Sequence, residues 1–212
     1  MIRNLLFDLG GVVVDICRQH CVDAFDRLGL PDADSYFGEY AQTGIFMAIE
    51  DGSATVGEFH EALRRAFPDP SSISDEDIDS AFQKFIIGIP ERRLRALLKL
   101  RKRYRIYLLS NTNPIMWEGV LADEFAKLPP MRREDYFDGM VTSFEAKSAK
   151  PDAEIFRYTA RTLGIRPEET LFFDDSQANV DAAHALGFNA VLVRPGEDFA
   201  DVLADYEAAT QR

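Results

Sequence analysis

The chain has little cysteine, tryptophan or histidine: two, one and three residues among 212. Two cysteines cannot build a disulfide framework. Cys17 and Cys21 lie four apart on an expected helix and share a face. A disulfide is rare at that spacing, and a metal would need further ligands. They read as two small buried side chains in a reducing compartment. Positive charge is also short, with 24 Lys and Arg against 36 Asp and Glu and a net charge of −12. That balance argues against a nucleic-acid surface. The one basic cluster, Lys99–Arg105, suits the solvent face and C-terminal end of a helix, where cations complement the dipole. No apolar run reaches membrane-spanning length, and no signal peptide is recognised. The expectation is a cytoplasmic protein, monomeric or homodimeric, that binds neither nucleic acid nor membrane.

What is present is an ordinary globular composition, 46% hydrophobic and 28% charged, enough for a sizeable core. The stretch Asn4-Leu-Leu-Phe-Asp-Leu-Gly-Gly-Val-Val-Val-Asp15 organises it. Leu5, Leu6 and Phe7 form a short apolar run that reads as a buried strand. It ends on Asp8, and Gly10-Gly11 turn the chain. An acidic residue at the C-terminal tip of a buried strand stands where open α/β sheets place ligands; on its own, Asp8 also suits a turn cap.

Residues 16–88 follow a helical pattern. Cys17, Cys21, Val22, Phe25 and Leu28 recur at helix spacing, stopped by Gly29 and Pro31. Asp32–Tyr40 reads as a weaker helix and Ile45–Ile49 as a short one. Thr55-Val-Gly-Glu58 is a capping-box pattern, and Ser74-Asp-Glu-Asp77 opens another helix. Without a clear strand, this block reads as a helical cap inserted after the first strand, with residues 1–15 and 89–212 as the α/β core. Strands are expected at Arg105–Ser110, Phe137–Thr142, Thr170–Asp174 and Ala190–Val193. Helices are expected at 114–126, 151–163 and 180–186. The alternation implies a doubly wound parallel sheet with helices on both faces.

Four strand–helix junctions then carry chemistry: Asp8, Ser110-Asn111, Lys150-Pro151 and Asp174-Asp175. Paired carboxylates with a backbone carbonyl suit Mg²⁺ beside a phosphate. A small hydroxyl and free amides at a helix start hold phosphate oxygens. A lysine there offsets the charge of a phosphate or a carboxylate nucleophile. Singly, Asp174-Asp175 suits an N-cap, Ser110 a turn and Lys150 a solvated face. Together they match phosphoryl transfer to an aspartate, with water later hydrolysing the aspartyl-phosphate.

With Phe-Asp8-Leu-Gly-Gly-Val, Leu-Leu-Ser110-Asn-Thr, Lys150-Pro-Asp and Phe-Phe-Asp174-Asp175-Ser-Gln-Ala-Asn179 in order, the chain resembles the haloacid dehalogenase-like hydrolase superfamily. The resemblance covers essentially the whole sequence. It implies a Rossmann-like core, Mg²⁺ as cofactor, Asp8 as nucleophile and Lys150 as the positioning charge. Ser110, Asn111 and Lys150 would bind phosphate. The metal would sit on Asp8, the carbonyl of Gly10 and chiefly Asp175, with Asp174 at one remove or acting through Lys150. The motifs are similar to those of a bacterial subgroup of sugar-1-phosphate phosphatases, and more distantly to the phosphatase domain of soluble epoxide hydrolases. The implied substrate is a small phosphorylated metabolite, a hexose phosphate favoured.

One position departs from the pattern. Most phosphatases of the family carry a second aspartate two residues after the nucleophile as acid and base; here it is Gly10. Losing such a group costs roughly 10²–10⁴-fold. Asp15 is the nearest replacement in sequence, although it also suits a cap. Glu50 and Phe46, in the segment Ile45–Gly52, are candidates to face a substrate, or else simply close a cap helix. Two other functions stay open: a 2-haloacid dehalogenase, which needs no metal and is expected to lack the Asp174-Asp175 pair, and a binding protein that kept the fold without turnover.

Overall fold

Leu5, Leu6 and Phe7 are completely buried, because strand β1 (Asn4–Phe7) is central in its sheet. The computed structural model describes residues 1–38, 42–129 and 131–210. In it a two-residue strand β2 (Asp15–Ile16) and β3 (Ile86–Gly88) form a small antiparallel ribbon. The strands β4 (Arg105–Ser110), β5 (Gly139–Thr142), β6 (Thr170–Asp174) and β7 (Asn189–Leu192) join β1 in a parallel sheet of order β5-β4-β1-β6-β7. Phe7 stands level with Leu108 on one side and Phe173 on the other. The next residue along the chain therefore emerges beside the ends of both neighbours, and the Asp8 amide donates to the Phe173 carbonyl at 2.8 Å.

Alternate residues of the strands feed two cores. Leu5, Phe7, Leu108, Leu171 and Phe173 point to one face. Leu6, Tyr107, Leu109 and Phe172 point to the other, against Phe156 and Val180. On the first face Phe7 stacks on Phe173 at 4.8 Å and meets Phe199 edge-on at 4.9 Å. Phe199 opens a final helix, Phe199–Thr210, that periodicity did not announce. Among the described residues, no helix is long and apolar enough to cross a membrane.

Between β2 and β3 the chain is helical: Arg18–Leu28, Gly44–Glu50, Val56–Arg64 and Asp75–Gln83. Both expected helix starts carry reciprocal capping boxes, Thr55 with Glu58 and Ser74 with Asp77. The helices converge on an aromatic cluster centred on Phe46, whose ring lies 4.6 Å from Phe37, 5.1 Å from Phe59 and 5.0 Å from Phe82.

Several local expectations change. The block is bracketed by the β2–β3 ribbon, too short to show a strand period. Where a weaker helix was expected at Asp32–Tyr40, the described part is a 3₁₀ turn at Ala33–Tyr36, and residues 39 and 40 lie outside the described residues. The expected helix 114–126 breaks at Gly119 into Pro114–Glu118 and Val120–Phe125. A side chain of the helix Asp75–Gln83 satisfies the break: the Val120 amide donates to Gln83 Oε1 at 3.1 Å. Cys17 is the extended cap residue before its helix rather than part of it, and both cysteines are free. Trp117 is buried, with the Arg133 guanidinium 4.4 Å above its ring.

Candidate active site

Asp8 follows directly on β1 and is itself buried. Its Oδ1 accepts the Leu9 amide at 2.6 Å and lies 2.7 Å from Lys150 Nζ. Among the described residues both of these contacts fall on Oδ1, which leaves Oδ2 for chemistry. Lys150 is nearly fully buried, and its Nζ lies at the same 2.7 Å from Asp174 Oδ2. The segment before its helix is pinned by Asn111, whose side-chain amide donates to the Lys150 carbonyl and accepts its N–H, both at 2.9 Å. Asn111 thus lines the cavity, but both ends of its amide already serve the lysine. Ser110 is buried at the tip of β4, with its hydroxyl on the Asn111 carbonyl at 3.3 Å.

Asp174, at the end of β6, is completely buried. While Oδ2 takes Lys150, Oδ1 accepts the Ser176 amide and Asn179 Nδ2, each at 2.9 Å. Its oxygens are therefore saturated by protein donors, which suits holding Lys150 better than binding a cation directly. Asp175 differs. Its carboxylate packs against Gly11, whose φ of +74° and bare Cα are both required there, since any Cβ would collide with that carboxylate.

Asp8, Asp174 and Asp175 each offer an oxygen within 4.8 Å of the others. Burial, and next the neighbouring carboxylates, push Asp8 upward against the pull of Lys150. Burial and Asp174 likewise raise Asp175 to about 6. Lys150 is opposed by burial, yet Asp174 and Asp8 outweigh it and hold the ammonium charged. Repulsion between Asp8 and Asp175 is what a divalent cation would relieve. Two hard carboxylates with the Gly10 carbonyl at the same cavity make a donor set that fits Mg²⁺.

The cavity over these groups is small, about 90 Å³, and is lined on the lid side by Ile16, Gln42, Glu50 and Phe85. Glu50 thus faces the site. Burial raises its carboxyl to about 7, against a lowering by the hydrogen bond from Gln42. The other two sequence candidates do not reach the cavity. Asp15 pairs with Arg93, Oδ1 to Nη1 at 2.7 Å, and lines a neighbouring cleft that it shares with Gly11 and Asp175. Phe46 is completely buried inside the aromatic cluster. Two contributors escaped the sequence reading. Ser143, after β5, accepts the Thr112 amide at 3.0 Å and donates to the Glu50 carbonyl at 2.6 Å. It stands at a strand tip, the signal that found the others. Gln42 had no sequence signal.

A parallel α/β sheet with an aspartate at the end of its central strand, a buried lysine between two carboxylates and a helical lid defines a class. The sequence model of the haloacid dehalogenase-like hydrolases matches residues 2–187, and the chain belongs to that family. It is 38% identical over 200 residues to a D-ribitol-5-phosphate phosphatase of Bacteroides thetaiotaomicron, covering 94% of this chain and 95% of the relative. The structure of a family enzyme of that organism, in complex with magnesium and inorganic phosphate, superposes with a TM-score of 0.88 at 39% identity, covering 95% of this chain and 99% of the other. A bifunctional epoxide hydrolase of Sus scrofa is 27% identical over 209 residues, 91% of this chain but 36% of that protein.

Proposed function

We propose that this hydrolase is a Mg²⁺-dependent phosphomonoesterase for a small sugar or sugar-alcohol phosphate, working through an aspartyl-phosphate on Asp8. The observation that carries the reading is Lys150, buried between Asp8 and Asp174 at 2.7 Å from each. A buried ammonium so placed aims the Asp8 carboxylate and opposes the upward push of burial on it, and a bound cation would add to that pull. Magnesium, when bound at Asp8, Asp175 and the Gly10 carbonyl, would supply Lewis-acid charge to the phosphoryl oxygens.

The chain's own residues account for the remaining steps. An Asp8 oxygen attacks phosphorus, and the P–O bond to the leaving alcohol breaks with its electron pair going to that oxygen. Ser110 and the backbone amides after β4 hold the phosphoryl oxygens. Glu50 takes the place of the acid missing at Gly10. Raised to about 7, it is protonated often enough to give the leaving oxygen a proton, and ionised afterwards it takes one from the attacking water. Water then cleaves the aspartyl-phosphate. The small cavity leaves no room for bulky phosphoproteins.

The relative named for a five-carbon alditol phosphate makes pentitol phosphates rank beside hexose phosphates as candidates. Phosphate release from a panel of both, with Mg²⁺, with EDTA and with Asp8→Asn, tests the reading. Release that chelator and variant both abolish is expected; release indifferent to either defeats it.

A further inference from the structure

Gln42 is 8% exposed, and its Oε1 is buried with no hydrogen-bond partner among the described residues. Leaving a buried acceptor unpaired costs about 1–3 kcal/mol, so the position asks for a ligand that is absent from the protein itself. The side chain lines two joined spaces. One is the cavity over Asp8, Lys150 and Asp175. The other is an annexe of about 40 Å³ bounded by Ser110, Met116 and Leu121.

The orientation of the amide follows from its neighbour. Gln42 donates a hydrogen bond to the Glu50 carboxylate. Only the nitrogen donates, so the oxygen is left as the unpaired acceptor of a side chain that lines the shared space. The backbone is held as well, since Gln42 bridges to Phe37, a member of the aromatic cluster. One residue further on, Thr43 caps the helix Gly44–Glu50. Gln42 and Glu50 therefore ride on one piece of the lid. The other lid residues at these spaces, Ile16, Phe85 and Ile86, are apolar. The lid thus offers a leaving group one proton source and one hydrogen-bond acceptor.

We infer that Gln42 is a specificity-determining residue: its Oε1 accepts a hydrogen bond from a hydroxyl on the carbon chain beside the phosphoester, selecting polyol and sugar phosphates over esters of simple alcohols. This rests on the phosphomonoesterase reading above. A hydroxyl satisfies the orphaned oxygen, whereas a bare methylene leaves it dry and unpaired. A site built to bond a substrate hydroxyl penalises the analogue that lacks it. One neutral hydrogen bond with its desolvation penalty amounts to about a 5- to 150-fold preference.

The test uses two phosphate esters of equal chain length, glycerol 3-phosphate and n-propyl phosphate, with Mg²⁺. Wild-type enzyme is expected to favour the glycerol ester in kcat/KM by at least about tenfold. Gln42→Leu, similar in volume without the acceptor, is expected to bring that ratio close to one, chiefly by raising KM for the glycerol ester. A variant that merely perturbs the lid lowers both esters together and keeps the ratio; that result overturns the assignment. A wild-type enzyme that does not distinguish the esters overturns it too, whether or not the variant folds. Absence of turnover of both esters and of p-nitrophenyl phosphate, with Asp8→Asn indistinguishable from wild type, instead defeats the phosphatase reading itself.

Discussion

Ser143 donates its hydroxyl proton to the backbone carbonyl of Glu50 across 2.6 Å, joining the tip of β5 to the last residue of a lid helix. Lys147 adds a second tie, Nζ to the Gly52 carbonyl at 2.9 Å, and Gly52 (φ +70°) lies so close to the Phe144 carbonyl that a Cβ would collide with it. The lid is thereby drawn onto the core at the place where Glu50 enters the cavity. Ser143→Ala removes a hydrogen bond worth about 0.5–1.5 kcal/mol. We expect kcat/KM to fall by about 2- to 12-fold, mostly through KM, and Tm to fall by roughly 1–6 °C. Steady-state kinetics and a thermal melt of the same preparation check this.

Glu50 sets a pH dependence. Its carboxyl rises from 4.5 to about 7 in the folded protein, because burial disfavours the charge. As the proton donor it is competent below that value, so the rate of a reaction limited by leaving-group departure should decline as pH passes about 7. Glu50→Gln should lose that limb and about 10²–10⁴-fold in kcat. Stability has the matching sign. A raised folded value favours the folded state below pH 4.5 and loses that advantage between 4.5 and about 7. Glu50→Gln should therefore melt above wild type at pH 8.5, with the difference shrinking towards pH 4.5.

Gly10 provides an internal control on that assignment. A Cβ built there would meet only the Ile16 side chain, at 3.4 and 3.7 Å, so an aspartate fits without backbone strain. Adding Gly10→Asp to Glu50→Gln should recover at least tenfold of the lost kcat, within the range a positioned acid supplies. A double variant no faster than Glu50→Gln would show that proton transfer is not what the single variant lost.

Phe46 tests the division between packing and binding. Its ring is wholly enclosed by Phe25, Phe37, Phe59 and Phe82. Phe46→Ala should cost about 3–5 kcal/mol of stability, as large-to-small core changes do. Phe46→Leu should cost less and leave KM close to wild type. Denaturant melts and kinetics on both variants separate the two roles.

How much of this the sequence disclosed depends on the kind of signal. Asp8, Ser110, Lys150 and Asp174-Asp175 were legible because each sits where an apolar run stops and a helix starts, and parallel strands bring such stops to one edge. The fold was legible for the same reason. The β2–β3 ribbon was not, since two or three residues carry no period. For Asp15 and Phe46 the sequence left two readings each: Asp15 follows the nucleophile loop but pairs with Arg93, and no pattern says which aromatic of an apolar helix face stays inside. Gln42 was invisible because its importance lies in a partner its Oε1 lacks, a property only coordinates reveal. Asn111 reads as a phosphate ligand because it follows Ser110; that its side-chain amide bonds the Lys150 backbone had no sequence signal.

The proposed chemistry leans on Lys150. Removing one partner of a buried ionic cluster costs about 3–5 kcal/mol, and its Nζ serves two carboxylates at once. Lys150→Met should lower stability and reduce kcat by at least 10²-fold, the lower end expected for loss of electrostatic positioning at a reacting group. Lys150→Arg should fold better than Lys150→Met but remain slow, since a planar guanidinium cannot replace a point charge between Asp8 and Asp174.

The most direct measurement is phosphate release from ribitol 5-phosphate by the wild-type chain, Asp8→Asn and Asp175→Asn, each titrated with Mg²⁺ after chelation. We predict saturable activation of the wild type by Mg²⁺, no turnover by Asp8→Asn at any concentration, and a requirement for much higher Mg²⁺ in Asp175→Asn. Wild-type turnover that is unchanged by chelation, or an Asp8→Asn variant as active as wild type, would contradict a metal-assisted attack by Asp8.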